Sequence, residues 1–131
     1  MNKELLIELF STDDDLLNKY HISAPNSVEV CAERTLDDLN GSAVYLFERD
    51  SNLIGYYGIS GSSLTGFFIT PENRNKEVIS AFWNEVESKF TKDYYCGLYN
   101  KNTRAIEFIR KKSIEEYPVK EWDGIFFKIK R

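Results

Sequence analysis

The pattern of apolar and polar positions changes character near residue 42. Before it, short apolar runs alternate with polar clusters. Lys3–Phe10 fits a strand or a short helix equally well, because eight residues do not separate the two periods. Ser11-Thr12-Asp13-Asp14-Asp15 then offers cap oxygens and first-turn negative charge, and Leu16, Leu17 and Tyr20 follow at helical spacing, so a helix is expected to start there. Pro25-Asn26-Ser27 opens a second expected helix through Val30, Cys31 and Leu36, closed by Asn40-Gly41.

From Ser42 the runs are aromatic and β-branched. Residues 43–48, 53–59 and 64–70 read as three strands, separated by turns at Asp50-Ser51-Asn52 and Gly61-Ser62-Ser63, which makes an antiparallel meander. Pro71 stops the third strand. Over 72–90 the apolar positions Val78, Ile79, Phe82, Trp83, Val86 and Phe90 mark an amphipathic helix. A dense strand at 94–99 follows, expected parallel to the third. Next comes a helix with Ala105, Ile106, Phe108 and Ile109 on one side. Residues 114–119 and 125–129 read as two last strands around an Asp123-Gly124 turn, with Ile125, Phe127 and Ile129 on one face. The order β-β-β-α-β-α-β-β predicts an α+β fold, a mixed sheet with helices on both faces, in a single domain over residues 1–131.

Composition narrows the function classes. Nineteen aromatics (nine Phe, eight Tyr, two Trp) favour strands and a bulky core. A net charge of -4 disfavours general nucleic-acid binding, and Arg104, Arg110, Lys111 and Lys112 read as a solvated helix end. No run is long enough to span a membrane, and the first residues do not read as a signal peptide. One histidine, His21, and the widely spaced Cys31 and Cys96 give no metal site. Two thiols in a reducing, cytoplasmic compartment are a simpler reading than a disulfide. The acidic run Asp13–Asp15 lacks the alternating ligand spacing of a calcium loop.

Two joints carry a family resemblance. Phe67-Phe68-Ile69-Thr70-Pro71-Glu72-Asn73-Arg74-Asn75-Lys76-Glu77-Val78-Ile79-Ser80 looks like the fourth strand, Pro-Glu turn and acetyl-CoA loop of the GNAT N-acetyltransferase superfamily. Asn102-Thr103-Arg104-Ala105-Ile106-Glu107-Phe108 resembles that family's Asn-x-x-Ala helix start. The likeness runs from about Ala43 to the end; residues 1–42 match the family's opening strand and helix pair only loosely. It implies a GNAT-like fold and a coenzyme A cradle at Phe68, Ile69, Arg74, Asn75, Lys76, Val78, Ser80 and Asn102.

The loop departs from the family's Arg/Gln-x-x-Gly-x-Gly/Ala form. Arg74 matches the first position and Asn75 stands where glycine is common. Glu77 and Ile79 replace the two small residues that let backbone N–H groups approach the pyrophosphate. Ile109 stands where many members carry a tyrosine acid, and Ser113-Ile114 replaces a Gly-Phe pair. Tyr95, Tyr99 and Tyr117 are the available substitutes for the acid; Glu48, Glu72 and His21 are available as bases. The catalytic residues are unassigned.

A narrower likeness is to small GNAT-like internal virion proteins of short-tailed bacteriophages. It rests on Thr70-Pro71, a helix without the glycine loop, and the Asn102–Phe108 run. The expectation is a degenerate, non-catalytic protein without a cofactor, with a virion or host protein as partner and located in host cytoplasm or virion. The alternative is an active acetyl-CoA-dependent N-acetyltransferase with an atypical loop.

Overall fold

Six strands form one sheet in the order β1-β2-β3-β4-β6-β5: β1 (Ala43–Arg49), β2 (Asn52–Ser60), β3 (Ser63–Ile69), β4 (Tyr94–Tyr99), β5 (Ser113–Val119) and β6 (Gly124–Ile129). The helices are α1 (Lys3–Phe10), α2 (Val28–Asp38), α3 (Lys76–Ser88) and α4 (Thr103–Arg110). This computed structural model describes residues 1–19 and 27–131, so Tyr20, His21, Pro25 and Asn26, on which parts of the sequence reading fell, lie outside the described residues.

The expected meander is present. β1, β2 and β3 pair antiparallel in sequence order. Asp50 and Ser51 join β1 to β2 with φ of 52° and 67°, the doubly left-handed geometry whose twist matches a tight hairpin. β4 lies beside β3 and parallel to it, as expected, but only Ser63 and Leu64 pair, with Tyr95 and Cys96. β6 pairs antiparallel with both β4 and β5.

Strand alternation sends successive side chains to two cores. Tyr57 faces the core under α3 and α4, whereas Tyr56 and Phe68 face the one under α1 and α2. In β3 the register shifts by one residue around Thr65. That bulge puts Leu64 and Phe67, three residues apart, on the same side.

One open local reading is settled and three are corrected. Lys3–Phe10 is a helix and not a strand: Leu6, Leu9 and Phe10 are buried at helical spacing, and Asn2 Oδ1 caps the Leu5 N–H at 2.8 Å. Where a helix is expected after the acidic run, the described residues form a 3-10 turn, Leu16–Lys19, and the Asp13 side chain is buried. The last hairpin is not closed by a two-residue Asp123-Gly124 turn. A 3-10 turn, Lys120–Trp122, connects the strands, and Asp123 alone is left-handed at φ 52°. Gly124 serves packing: a Cβ there would lie 1.9 Å from the Trp122 ring. The long helix also begins later than expected, at Lys76, after a 3-10 turn over Pro71–Asn73.

Among the described residues no helix is long and apolar enough to cross a membrane. Two outcomes test the packing. A Cβ on Gly55 would stand 2.2 Å from the Phe68 carbonyl oxygen, and backbone cannot yield cheaply. Gly55→Ala is expected to cost about 3 kcal/mol in denaturant unfolding; a loss under about 0.5 kcal/mol, the usual surface-substitution scale, contradicts the β2–β3 packing. Cys31 and Cys96 are buried thiols outside any disulfide, and burial pushes the Cys96 thiol up to about 12. Only thiolate reacts, so native labelling of both is expected to be no faster than opening of the fold; rapid labelling of Cys96 contradicts its placement.

Candidate functional site

The site is the gap that opens where β3 and β4 diverge. Tyr95 N–H donates to Ser62 O at 2.9 Å, and pairing ends one residue later. Beyond it, the C-terminal half of β3 keeps its bonds only to β2. Thr70 N–H donates to Ile54 O at 2.8 Å, so by alternation the backbone groups of Ile69 point the other way.

The chain then turns from β3 into α3, and its own side chains occupy the turn. Thr70 is buried, and its Oγ1 accepts from Asn73 Nδ2 at 2.7 Å. Arg74 folds back over the end of β3. Its Nε donates to Ile69 O at 2.7 Å, and its guanidinium lies 5.3 Å from the centre of the Phe68 ring. Its Nη2 donates to Asp13 Oδ2 at 3.0 Å. Asn75 is the N-cap of α3, with extended backbone, and its Oδ1 accepts from Val78 N–H at 3.0 Å. One of the N–H groups that a helix start leaves without an internal partner is thereby taken.

The other residues proposed for the cradle are distributed as follows. Phe68, Ile69 and Val78 are buried: Ile69 of β3 and Val78 of α3 belong to the same core cluster, and Phe68 lies against Phe10 at 5.1 Å. Lys76 and Ser80 are exposed on α3. Glu77 extends into solvent, 84% exposed, with Arg49 Nη2 at 3.4 Å from its Oε1. At the second joint Asn102 starts α4 without a side-chain cap bond; its N–H donates to Tyr99 O and its carbonyl accepts from Ile106 N–H. The structure thus brings Ile69, Arg74, Asn75 and Val78 together at one corner, while Asn102 stands at the start of the neighbouring helix.

The candidate acids and bases are scattered. Ile109 is fully buried in the core. Tyr95 stacks on Phe126 at 5.8 Å, and Tyr99 meets Trp122 edge-on at 5.6 Å. Burial, and next the charge of Asp38, raise the Tyr99 hydroxyl above its ordinary value. Tyr117 is 47% exposed on β5, Glu48 and Glu72 are exposed, and His21 lies outside the described residues. No group of metal-ligating residues forms among the described residues.

Asp13 is the site residue that sequence reading missed. Its side chain is only 4% exposed and takes three donors: Lys19 Nζ at 2.6 Å and Arg74 Nη2 at 3.0 Å on Oδ2, and Asp15 N–H at 3.0 Å on Oδ1. Burial alone would raise its pKa, but the three hydrogen bonds outweigh it and hold the carboxyl below its ordinary value of 3.8. Its partner lies 61 positions away, and only the fold brings the two together.

A carboxyl with a lowered folded-state pKa stabilises the protein fully above the unfolded value, and that contribution is lost as pH falls through the folded value. Asp13→Asn is therefore expected to lose about 2 kcal/mol at neutral pH in denaturant unfolding. That is less than the ~3–5 kcal/mol of a fully buried pair, because Lys19 and Arg74 keep 19% and 30% exposure. The gap between variant and native should narrow below pH 3.8. A gap that is constant down through that range contradicts the ion pair.

No protein-family model matches this chain, and no curated protein matches it in sequence. Solved structures match it by shape. An acetyltransferase from Thermus thermophilus superimposes with a TM-score of 0.74 at 12% identity, over 98% of this chain and 90% of its own. The apo form of YjaB from Escherichia coli gives 0.64 at 15% identity, over 98% and 89%. A GNAT family acetyltransferase from Elizabethkingia anophelis, solved with acetyl-CoA bound, gives 0.54 at 14% identity, over 76% and 82%. At such identities the likeness is one of architecture, and it is plain: the chain has the fold of the GNAT acetyltransferases.

Proposed function

We propose that this chain is a single-domain GNAT-fold protein that works by binding a protein partner, without acetyl-CoA-dependent catalysis. The observation that carries the reading is that the first turn of α3 is capped from within, Val78 N–H donating to Asn75 Oδ1, beside an Arg74 already bonded to the chain. Coenzyme A binding in the manner of the family needs open N–H groups there, backbone without side chains in the way, and a cation free to meet the phosphates. Here Asn75 takes the Val78 N–H, and Arg74 is spent on Ile69 O and Asp13. Glu77 puts a carboxylate on the first turn in place of a small residue, though it extends into solvent toward Arg49. The residues present do not fit the pyrophosphate as that family holds it. A virion or host protein as the partner rests on the resemblance of the Thr70-Pro71 joint and the Asn102–Phe108 run to phage internal virion proteins.

Two observations favour a second reading, an active N-acetyltransferase with an atypical loop. The gap between β3 and β4 is kept, and the Asn102 side chain is not used for capping. Calorimetry with acetyl-CoA separates the two. The native protein is expected to bind no tighter than about millimolar, near -4 kcal/mol. Saturable binding in the micromolar range, weakened by Arg74→Ala, overturns the non-catalytic reading in favour of the second.

A further inference from the structure

We propose that the free edge of β1 is a homodimer interface, on which a second copy of this chain adds its own β1 antiparallel and joins the two sheets into one. The inference goes beyond the reading of the β3–α3 corner and does not depend on it.

The sheet ends in two edge strands, β1 and β5. Thr70 N–H donates to Ile54 O, so along β2 the backbone groups of Ile54 and Tyr56 face β3, and those of Gly55 and Tyr57 face β1. The residues opposite them on β1, Phe47 and Tyr45, therefore point inward. Val44, Leu46 and Glu48 turn their N–H and C=O groups away from the sheet, and among the described residues none of these groups has a partner.

The two edges are built differently. β5 carries Pro118, which has no N–H, and the charged Glu115 and Glu116, and such residues block the addition of a strand. β1 has neither device over 44–47, and Leu46 stands there 45% exposed.

Register and charge name the occupant. A two-fold axis through Leu46 gives the one antiparallel register that pairs the whole of Ala43–Arg49 with itself. Leu46 then meets the partner's Leu46, and Val44 meets the partner's Glu48. Both pairs join outward groups, which exchange two hydrogen bonds each. Tyr45 falls opposite the partner's Phe47 on the α3 side, an aromatic cross-strand pair. No charge meets its like, because Glu48 lies against the partner's Val44 and Arg49 against the partner's Ala43. The same operation on β5 sets Glu116 against the partner's Glu116. A second copy is therefore the occupant that β1 fits and β5 excludes. The strand is about 24 Å long. So short an interface is expected to associate in the micromolar range.

The experiment is sedimentation equilibrium of the full chain from about 1 to 500 µM. The native chain is expected to pass from monomer to dimer across that range. Leu46→Lys sets two like charges on the axis. Leu46→Pro removes the outward N–H and leaves the β1–β2 bonds in place. Each is expected to weaken dimerisation at least about tenfold. Tyr117→Lys, on the exposed β5, is expected to leave it unchanged. Hydrogen exchange at the Leu46 amide is expected to slow as concentration rises through the transition. A native chain that stays monomeric, including one that pairs only with strands of other proteins, overturns the proposal. So does a dimer that Leu46→Lys leaves intact, that Tyr117→Lys breaks, or that leaves the Leu46 amide exchanging freely. Should Leu46→Pro not fold, Leu46→Lys, at an exposed position, decides. Coenzyme A enters no arm of the experiment, so failure here leaves the reading of the corner standing.

Discussion

Two residue pairs, Ser63 and Leu64 with Tyr95 and Cys96, are all the pairing that joins the two halves of the sheet. The two halves are otherwise held through α3, by side-chain packing and by hydrogen bonds from Tyr57 Oη to Glu85 Oε2 at 2.7 Å and from Tyr94 Oη to Glu87 Oε2 at 3.1 Å. Phe82 meets Phe47 and Tyr57 edge-on at 5.2 and 5.6 Å, and Trp83 meets Phe67 at 5.4 Å. Trp83 then stacks on Phe108 of α4, also at 5.4 Å. Each such aromatic pair is worth roughly 0.5–1.5 kcal/mol beyond its buried area. α3 is therefore a clamp across the gap, and its apolar stripe Val78, Phe82, Trp83 and Val86 is what the long-range order of the sheet depends on.

A clamp of this kind puts the start of α3 at the mouth of the gap, where an anion could meet the helix. In this chain that corner is satisfied from within. Asn75 caps the Val78 amide, Arg74 bonds the end of β3, and Asp13 bonds Arg74. A closed corner suits stability: a buried carboxylate with three donors and an arginine with three contacts leave little unsatisfied. On the proposed reading, the same bonds occupy groups by which a phosphate-bearing cofactor would be held there. A shared architecture does not carry a shared function, so function is argued from the corner's own chemistry.

Much of the fold is legible in the sequence because its signals are local. Period-two runs mark the meander, and Val78, Phe82, Trp83 and Val86 mark the clamp. The parallel placement of β4 follows from a helical crossover between strands. Lys3–Phe10 stays undecided in the sequence, because its helical spacing acquires meaning only against Tyr56 and Phe68 across the core. The candidate site is half legible. Thr70-Pro71 and Asn102 mark the two joints, but Asn75 reads as a lost glycine when its work is to cap α3. Asp13 reads as part of a helix start when it is a counterion to Arg74. Pairing between residues 13 and 74 leaves no trace in spacing or composition.

The central claim is that Asn75 and Asp13 occupy the Val78 amide and the Arg74 guanidinium at this corner, which closes it to a phosphate. The most direct measurement is amide hydrogen exchange at Val78, with and without coenzyme A. A sealed corner predicts that the Val78 amide, bonded to Asn75, is protected like the interior of α3, and that coenzyme A changes nothing. An amide that exchanges freely in the native chain, and becomes protected when coenzyme A is added, would contradict the account.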